Sequence, residues 1–224
     1  MSHLRRRRPR FDRLLAAGAS ALLVMTGGCF VGMFFPTSID TEFANPTPLR
    51  GPVADVRTVA VVLPSTLESV LGTPDSSRGK LDMVGVDLAE RLQDSGRFSV
   101  VPPDRYRTAL AAGTQSSAYR VGASMTEADR LSAILKAART VNADGVILLQ
   151  GQWEMVQSIG SVSFGRPEYR RQMSLTLIGT KSGETLWSQE ATAVIHEGIA
   201  MPQEPDVRGA LVSSLAKHFL KTTK

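Results

Sequence analysis

The chain has 224 residues, a formal net charge of +5 and a pI near 9.7, a balance that can indicate a nucleic-acid-binding protein. Six of the 26 basic residues, however, are arginines that precede Cys29, the only cysteine. Removing these six, and Asp12 from the 21 acidic residues, leaves 20 of each, which excludes the counterion-release binding of basic proteins to DNA or RNA. The single cysteine also excludes an internal disulfide bond.

The amino-terminal segment resembles a bacterial lipoprotein signal. Residues 5–13, "RRRRPRFDR", are followed by the uncharged "LLAAGASALLVMTGG". A basic start, a short apolar stretch and small residues at its end are the three parts of an export signal. Thr26, Gly27 and Gly28 resemble a lipobox, with Thr26 where an aliphatic residue is usual. The resemblance implies that the thiol of Cys29 is acylated and that the chain is cut directly before it.

Two other readings of this segment stay open. The uncharged stretch continues to Phe35, and about 20 apolar residues suffice to span a bilayer, so an uncleaved inner-membrane anchor is the main alternative. A reactive thiol at Cys29 is disfavoured because it has no partner cysteine and apolar neighbours. Phe30 replaces the aspartate that retains some lipoproteins at the inner membrane. We therefore expect an outer-membrane protein that faces the periplasm.

The chain divides into a signal peptide (1–28), a lipid-anchored stalk (29–52) and an α/β domain (53–224). The stalk includes "PTSIDTEFANPTPLRGP", in which four prolines favour extended backbone, so it is predicted to be semi-rigid. The domain, of roughly 170 residues, is long enough for one hydrophobic core.

The first half of the domain alternates strands and helices. Residues 56–64, "VRTVAVVLP", are typical of a strand that is buried on both faces. A polar loop is predicted for 65–79 and an amphipathic helix for 80–96, which ends at Gly96. A short strand (97–103) and a short helix (105–112) follow.

The second half is predicted to be a loop, a helix, consecutive strands and a final helix. After the loop at 113–124, Thr126 is the expected N-cap of a helix with acids in its first turn. The β-rich segments are 144–153, 152–164, 168–180 and 184–196, and the last helix is 204–224. The predicted fold is α/β or α+β, a single mixed sheet packed with helices in the order β-α-β-α-α-β-β-β-α.

The apolar periodicity of four elements predicts which side chains form the core. The sets are Leu81, Val84, Leu88 and Leu92; Leu131, Ile134, Leu135 and Ala138; Met173, Leu175 and Leu177; and Val207, Leu211, Leu215 and Phe219.

Four segments, "VAVVLP", "LAERLQDSGRFSVVPPDR", "ARTVNADGVILLQG" and "TKSGETLWS", occur in an order that resembles a superfamily of bacterial envelope lipoproteins. That superfamily includes CsgG, the amino-terminal domain of TolB, LpoB and PelC, and the resemblance covers residues 56–220. It implies a non-catalytic scaffold or assembly component of an envelope export or wall-associated complex. It also implies envelope protein partners and a homo-oligomer. The loops 65–79 and 113–124 are too polar on both faces for the hairpins of a membrane barrel.

One cluster of side chains is a candidate contact site for a ligand or a partner. "SFGRPEYRR" contains Arg166, Tyr169, Arg170 and Arg171, and Tyr119 lies in an earlier loop. A basic aromatic patch of this kind would suit phosphate, a glycan or lipid headgroups, and a periplasmic glycan- or peptidoglycan-binding lipoprotein is the alternative function. A solvated hairpin tip explains the same residues without any ligand.

The sequence predicts no catalytic residue, metal ligand or cofactor. His196 and His218 are far apart, and Glu197 points to the opposite face of the strand from His196. The chain lacks the GxSxG motif of serine hydrolases. A hydrolase that depends on His196 or His218 is the remaining hypothesis from the class of enzymes.

Overall fold

The computed structural model describes residues 38–44, 53–71, 78–116, 126–157, 168–196 and 204–223. The strands are β1 (Ser38–Phe43), β2 (Thr58–Val62), β3 (Ser99–Val101), β4 (Gly145–Gln157), β5 (Glu168–Gly179) and β6 (Thr185–His196). The helices are α1 (Pro64–Leu71), α2 (Arg78–Asp94), α3 (Pro103–Ser116), α4 (Glu127–Thr140) and α5 (Glu204–Thr222), with a short 3-10 helix at Val53–Asp55. The predicted fold class, one mixed sheet packed with helices, is confirmed.

The six strands form one sheet in the order β1-β6-β5-β4-β2-β3. Strand β2 is parallel to both β3 and β4, and all other neighbours are antiparallel. The parallel part is built from β2, whose sequence "TVAVV" is buried on both faces, as expected for strands between two helical layers. The antiparallel part is a meander of β4, β5 and β6, with β1 added at its edge.

Helices α2 and α5 cover the first face of the sheet. Their predicted apolar stripes are confirmed, because Leu81, Leu88, Leu92, Leu211 and Leu215 are all fully buried. Opposite them lie inward-facing residues of the strands, in particular Val59, Val61, Ile147, Leu149, Met173, Leu175, Leu177 and Trp187. Fully burying a side chain of this size stabilises the fold by about 1.5–3 kcal/mol, so this layer is the main core.

Helices α3 and α4 pack on the second face, against β2 and β4. Tyr106 is the largest side chain of this smaller core, and its hydroxyl donates a hydrogen bond to the carbonyl of Ile134 (3.0 Å). Burial raises the pKa of Tyr106 well above its ordinary value. The buried stripe predicted for α4 is confirmed at Ile134, Leu135 and Ala138, whereas Leu131 is half-buried.

Two predictions about the amino-terminal half are wrong. Residues Ser38–Phe43, assigned above to the stalk, form β1 and pair with β6 from Ser38↔His196 to Phe43↔Ala191. The region 65–79, predicted to be a loop, contains most of α1, and α2 already begins at Arg78. The first segment is mostly polar and depends on pairing with β6, and α1 is short and packs on α2 and α3, so neither has a strong local pattern.

Two element boundaries also differ from the prediction. Helix α3 extends to Ser116, into the predicted loop 113–124, whose remaining residues lie outside the described part of the chain. The separate β segment predicted for 152–164 begins as a continuation of β4, which runs without interruption from Gly145 to Gln157. Within the described residues, no helix combines the length and apolarity needed to cross a membrane.

The predicted turn and cap residues adopt the expected conformations. Thr126 and Asp129 form a reciprocal capping box at the start of α4. Gly96 (φ 69°), after α2, and Gly183 (φ 72°), between β5 and β6, have the left-handed backbone that favours glycine. The Asp144 carboxylate accepts hydrogen bonds from the backbone N–H groups of Arg57 (3.1 Å) and Thr58 (2.9 Å). It thereby joins the start of β2 to the start of β4.

Candidate functional site

The second face of the sheet carries a polar surface over its antiparallel half. Alternation along β5 places Met173, Leu175 and Leu177 in the main core and the intervening residues on the opposite face. We call this surface the polar sheet face. Its exposed or half-buried side chains are Gln150 of β4; Arg170, Gln172, Ser174 and Thr176 of β5; Ser188, Glu190, Thr192 and His196 of β6; and Asp40 and Glu42 of β1.

The strand register brings these side chains into rows. Gln150, Ser174 and Glu190 are neighbours across β4, β5 and β6. In the adjacent row, the hydroxyls of Thr176 and Ser188 lie 3.1 Å apart, which is hydrogen-bonding distance. Cross-strand pairs of this kind help to fix the sheet, and their remaining donors and acceptors face outward.

A small cleft lies beside a β-bulge on this surface. It has a volume of about 230 Å³ and is lined by Gln150, Gly151, Gln172, Met173, Ser174 and Glu190. The register between β4 and β5 shifts between Gln152 and Val156. A Cβ atom at Gly151 would lie 2.5 Å from the carbonyl oxygen of Gln172, and the φ of Gly151 is 157°. The close approach of the two strands at the cleft therefore requires glycine.

The predicted contact residues do not lie on one face. Arg170 is on the polar sheet face, where its guanidinium lies 3.6 Å from the carboxylate of Glu42. Tyr169 and Arg171 point to the other side, where Tyr169 packs against the main core and Arg171 is only 7% exposed. Tyr119 and Arg166 lie outside the described residues. A role of any of these residues in ligand contact stays a prediction.

The two histidines of the domain belong to different surroundings. His196, at the end of β6, lies 3.7 Å from the carboxylate of Asp40 on the polar sheet face. His218 lies on α5, the helix that covers the opposite face. In the described ranges, no group of three His, Cys, Asp or Glu side chains could hold a metal ion.

His218 belongs to a cluster that fastens β1 to the core, and we call it the Phe43 cluster. Its ring stacks on Phe43 (centroids 4.3 Å apart, 14° between planes), and its Nε2 lies 3.2 Å from Oε1 of Gln189. The amide of Gln189 donates to the carbonyl of Ala44, and Nε1 of Trp187 donates to the hydroxyl of Thr222 (3.0 Å). The cluster therefore connects β1, β6 and α5.

Electrostatics at this cluster favour the neutral imidazole. Burial, and secondarily the positive charge of Lys221, lower the pKa of His218 below its ordinary value of 6.5. Apolar periodicity and motifs in the sequence do not predict this cluster. The one indication of the cluster in the sequence is Gln189, a polar residue at a core-facing position of a strand. Its side chain is 1% exposed, so its amide must find hydrogen-bond partners inside the protein.

These observations define an α+β protein with a six-stranded mixed sheet, with α2 and α5 packed on one face and a partly polar opposite face. No family model and no curated protein matches the chain. Solved structures do show similarity. A PelC dodecamer from Paraburkholderia phytofirmans is 15% identical, with a TM-score of 0.40, and the match covers 84% of this chain and 98% of that one.

Two further solved structures are similar at the same level. Lipoprotein GNA1162 from Neisseria meningitidis is 19% identical, with a TM-score of 0.42, over 74% of this chain and 99% of that one. The LpoB C-terminal domain from Escherichia coli is 15% identical, with a TM-score of 0.31, over 61% and 81%. Similarities this weak carry no inference about function. The resemblance to CsgG and to the amino-terminal domain of TolB stays a prediction from the sequence.

Proposed function

We propose that this chain is a lipoprotein, acylated at Cys29, that acts as a non-catalytic scaffold or assembly component of a cell-envelope complex. The supporting observation is the position of the lipidation motif relative to the fold. Cys29 precedes Ser38, the first residue of β1, by nine positions, and β1 is a strand of the sheet. Nine residues span at most about 30 Å, so the lipid would hold the whole sheet close to the membrane surface.

The surface of the domain supports the scaffold role. The polar sheet face is rich in hydroxyl, amide and charged side chains, which suits a hydrated protein contact. On α2, Met83 is 48% exposed and Val86 is 38% exposed, which adds an apolar element to the other side of the molecule. The alternative function, glycan binding, would use the polar sheet face and its cleft.

Intact-mass analysis of the protein extracted from membranes tests the lipid anchor. We expect the mass of residues 29–224 plus acyl chains for the wild type, and the loss of both processing and acylation in Cys29→Ala. Ser38→Ala is the matched control, because it lies on the same segment and leaves the motif intact. A full-length, unacylated mass in both wild type and Cys29→Ala would contradict the proposal and favour an uncleaved inner-membrane anchor.

A further inference from the structure

A shallow groove lies along the seam where α2 and α5 pack together, on a surface that the proposed function does not involve. The groove has a volume of about 620 Å³ and lies between the carboxyl-terminal halves of the two helices. We call it the basic groove. Its lining residues are Arg91, Asp94, Ser95, Ser213, Ala216, Lys217, Leu220 and Lys221.

The rim of the basic groove carries an excess of positive charge. Arg91, Lys217 and Lys221 are exposed, and Asp94 is the only acidic residue in the lining. Among the residues that the structure describes, none of the three cations has an ion-pair partner within 4.0 Å. Arg208, farther along the same seam, is by contrast paired with Asp87 at 2.7 Å.

Helix stability explains part of this charge but not all of it. Arg91 and Lys221 lie in the last turns of α2 and α5, where cations interact favourably with the helix dipole. Lys217 is one turn earlier, where this effect is weaker. The dipole also gives no reason for a concave surface between the three cations.

The floor and the extension of the groove are apolar. Ala216 is buried and Leu220 is half-buried beneath the charged rim. On α2, Sδ of Met83 lies 3.4 Å from Nη1 of Arg208, so the exposed side chain of Met83 lies on the same seam, beside the Arg208–Asp87 pair.

We propose that the basic groove binds an acidic segment of a protein partner, whose apolar residues contact the floor while its carboxylates meet the three cations. The rim carries three cations and a single carboxylate, so its net positive charge is complementary to an acidic peptide segment. The proposal names the partner chemistry of the scaffold role above and rests on that role.

The position of the groove favours a protein over a lipid surface. Trp187, near the start of β6, contacts Thr222 at the end of α5, so the groove lies near this end of the sheet. Ser38, which follows the lipid-anchored segment, pairs with His196 at the other end of β6. The groove is therefore directed away from the end of the sheet that the tether reaches first.

Fluorescence anisotropy with the full-length protein in a non-ionic detergent tests this inference without reference to acylation. The probe is a labelled peptide of leucine and glutamate, and a peptide with lysine in place of glutamate is its control. We expect saturable binding of the acidic peptide only, weakened by salt. The double variant Lys217→Gln/Lys221→Gln should bind about five- to tenfold more weakly, as for the loss of two exposed ion pairs.

A matched variant separates the groove from the overall charge. Lys136→Gln/Lys181→Gln removes the same charge from exposed positions on α4 and on the turn after β5, and it should bind like the wild type. Equal weakening in both double variants, or equal binding of the two peptides, would overturn the proposal. So would groove-dependent binding to phosphatidylglycerol vesicles without any binding of the acidic peptide, since the occupant would then be a lipid surface.

Discussion

At the scale of single residues, Gln189 and His218 show how a polar pair is accommodated in the main core. The side-chain N–H group of Gln189 donates to the carbonyls of Ala44 and Glu190, and its Oε1 lies 3.2 Å from Nε2 of His218. A buried amide that makes all these bonds is stable, whereas losing one partner would cost about 1–3 kcal/mol. Because burial disfavours the charged imidazolium, the protonation state of His218 should influence how firmly β1 is held.

His218 gives the fold a predictable dependence on pH. Its pKa in the folded protein is below 6.5 because of burial and, secondarily, Lys221, so the unfolded chain binds this proton first as the pH falls. Stability from this group is fully present above pH 6.5 and decreases as the pH falls below it, until the folded-state pKa is passed. Urea unfolding midpoints between about pH 5 and pH 8 should show this decrease.

Substitution identifies the histidine responsible for the pH dependence. His218→Gln removes the titrating group and should make the unfolding midpoint less dependent on pH in this range. Thr192→Ser, which changes no titrating group on β6, is the control and should retain the wild-type dependence. An unchanged pH profile in His218→Gln would show that other groups govern acid stability.

At the scale of elements, β1 is the strand that most needs its neighbours. Its exposure alternates along Ser38–Phe43, with exposed residues at Ser38, Asp40 and Glu42. The inward residues Ile39 and Phe43 are only partly buried against the main core. Pairing with β6, two apolar contacts and the Phe43 cluster are thus what keep this strand on the edge of the sheet.

Truncation of Phe43 should release β1 without unfolding the rest of the sheet. Phe43→Ala removes a partly buried ring and its stacking with His218, so we expect a loss of about 1–2 kcal/mol in the free energy of unfolding. Hydrogen exchange should accelerate in β1 and in the β6 amides that face it, and much less in β4. Glu42→Ala, which removes only an exposed ion pair, should change little. Uniform acceleration across all strands would contradict this role of β1.

The sequence predicted the elements whose patterns are strong and missed those that depend on context. The stripes of α2 and α5 follow from apolar periodicity, and the buried strand β2 follows from its continuous apolar run. In contrast, "SIDTEF" has only two apolar residues, Ile39 and Phe43, and lies between prolines, so its strand depends on pairing with the edge of β6. The helix α1 is eight residues long, too short for a local pattern to be decisive.

The candidate site was less predictable than the fold because it depends on register and tertiary contact. The sequence identified Tyr169, Arg170 and Arg171 as one patch, but strand alternation separates Arg170 from the other two. The rows of the polar sheet face require the pairings of β4, β5 and β6, which a single sequence does not specify. The basic groove requires α2 and α5 to be adjacent, although residues 95–203, a stretch of 109 residues, separate the two helices in the chain.

At the scale of the whole molecule, the anchor and the basic groove should lie at opposite ends. From Trp187 to His196, β6 spans nine residue steps, or about 30 Å. The proposed tether would join the sheet at the His196 end through Ser38, and α5 ends near Trp187. A partner segment in the basic groove would thus be held away from the lipid headgroups, at a height set by the length of the sheet.

Depth-dependent quenching tests this orientation in proteoliposomes. Acylation would occupy Cys29, the only cysteine, so a single new cysteine can carry a fluorophore. A label at Ser38→Cys should be quenched by a headgroup-attached nitroxide lipid, and a label at Lys217→Cys should be quenched much less, because Ser38 pairs with the His196 end of β6 whereas Lys217 lies on α5 toward the end that contacts Trp187. Equal quenching at both positions would mean that the domain lies flat on the membrane. In that case the basic groove would face the bilayer, and a protein segment would no longer be its natural occupant.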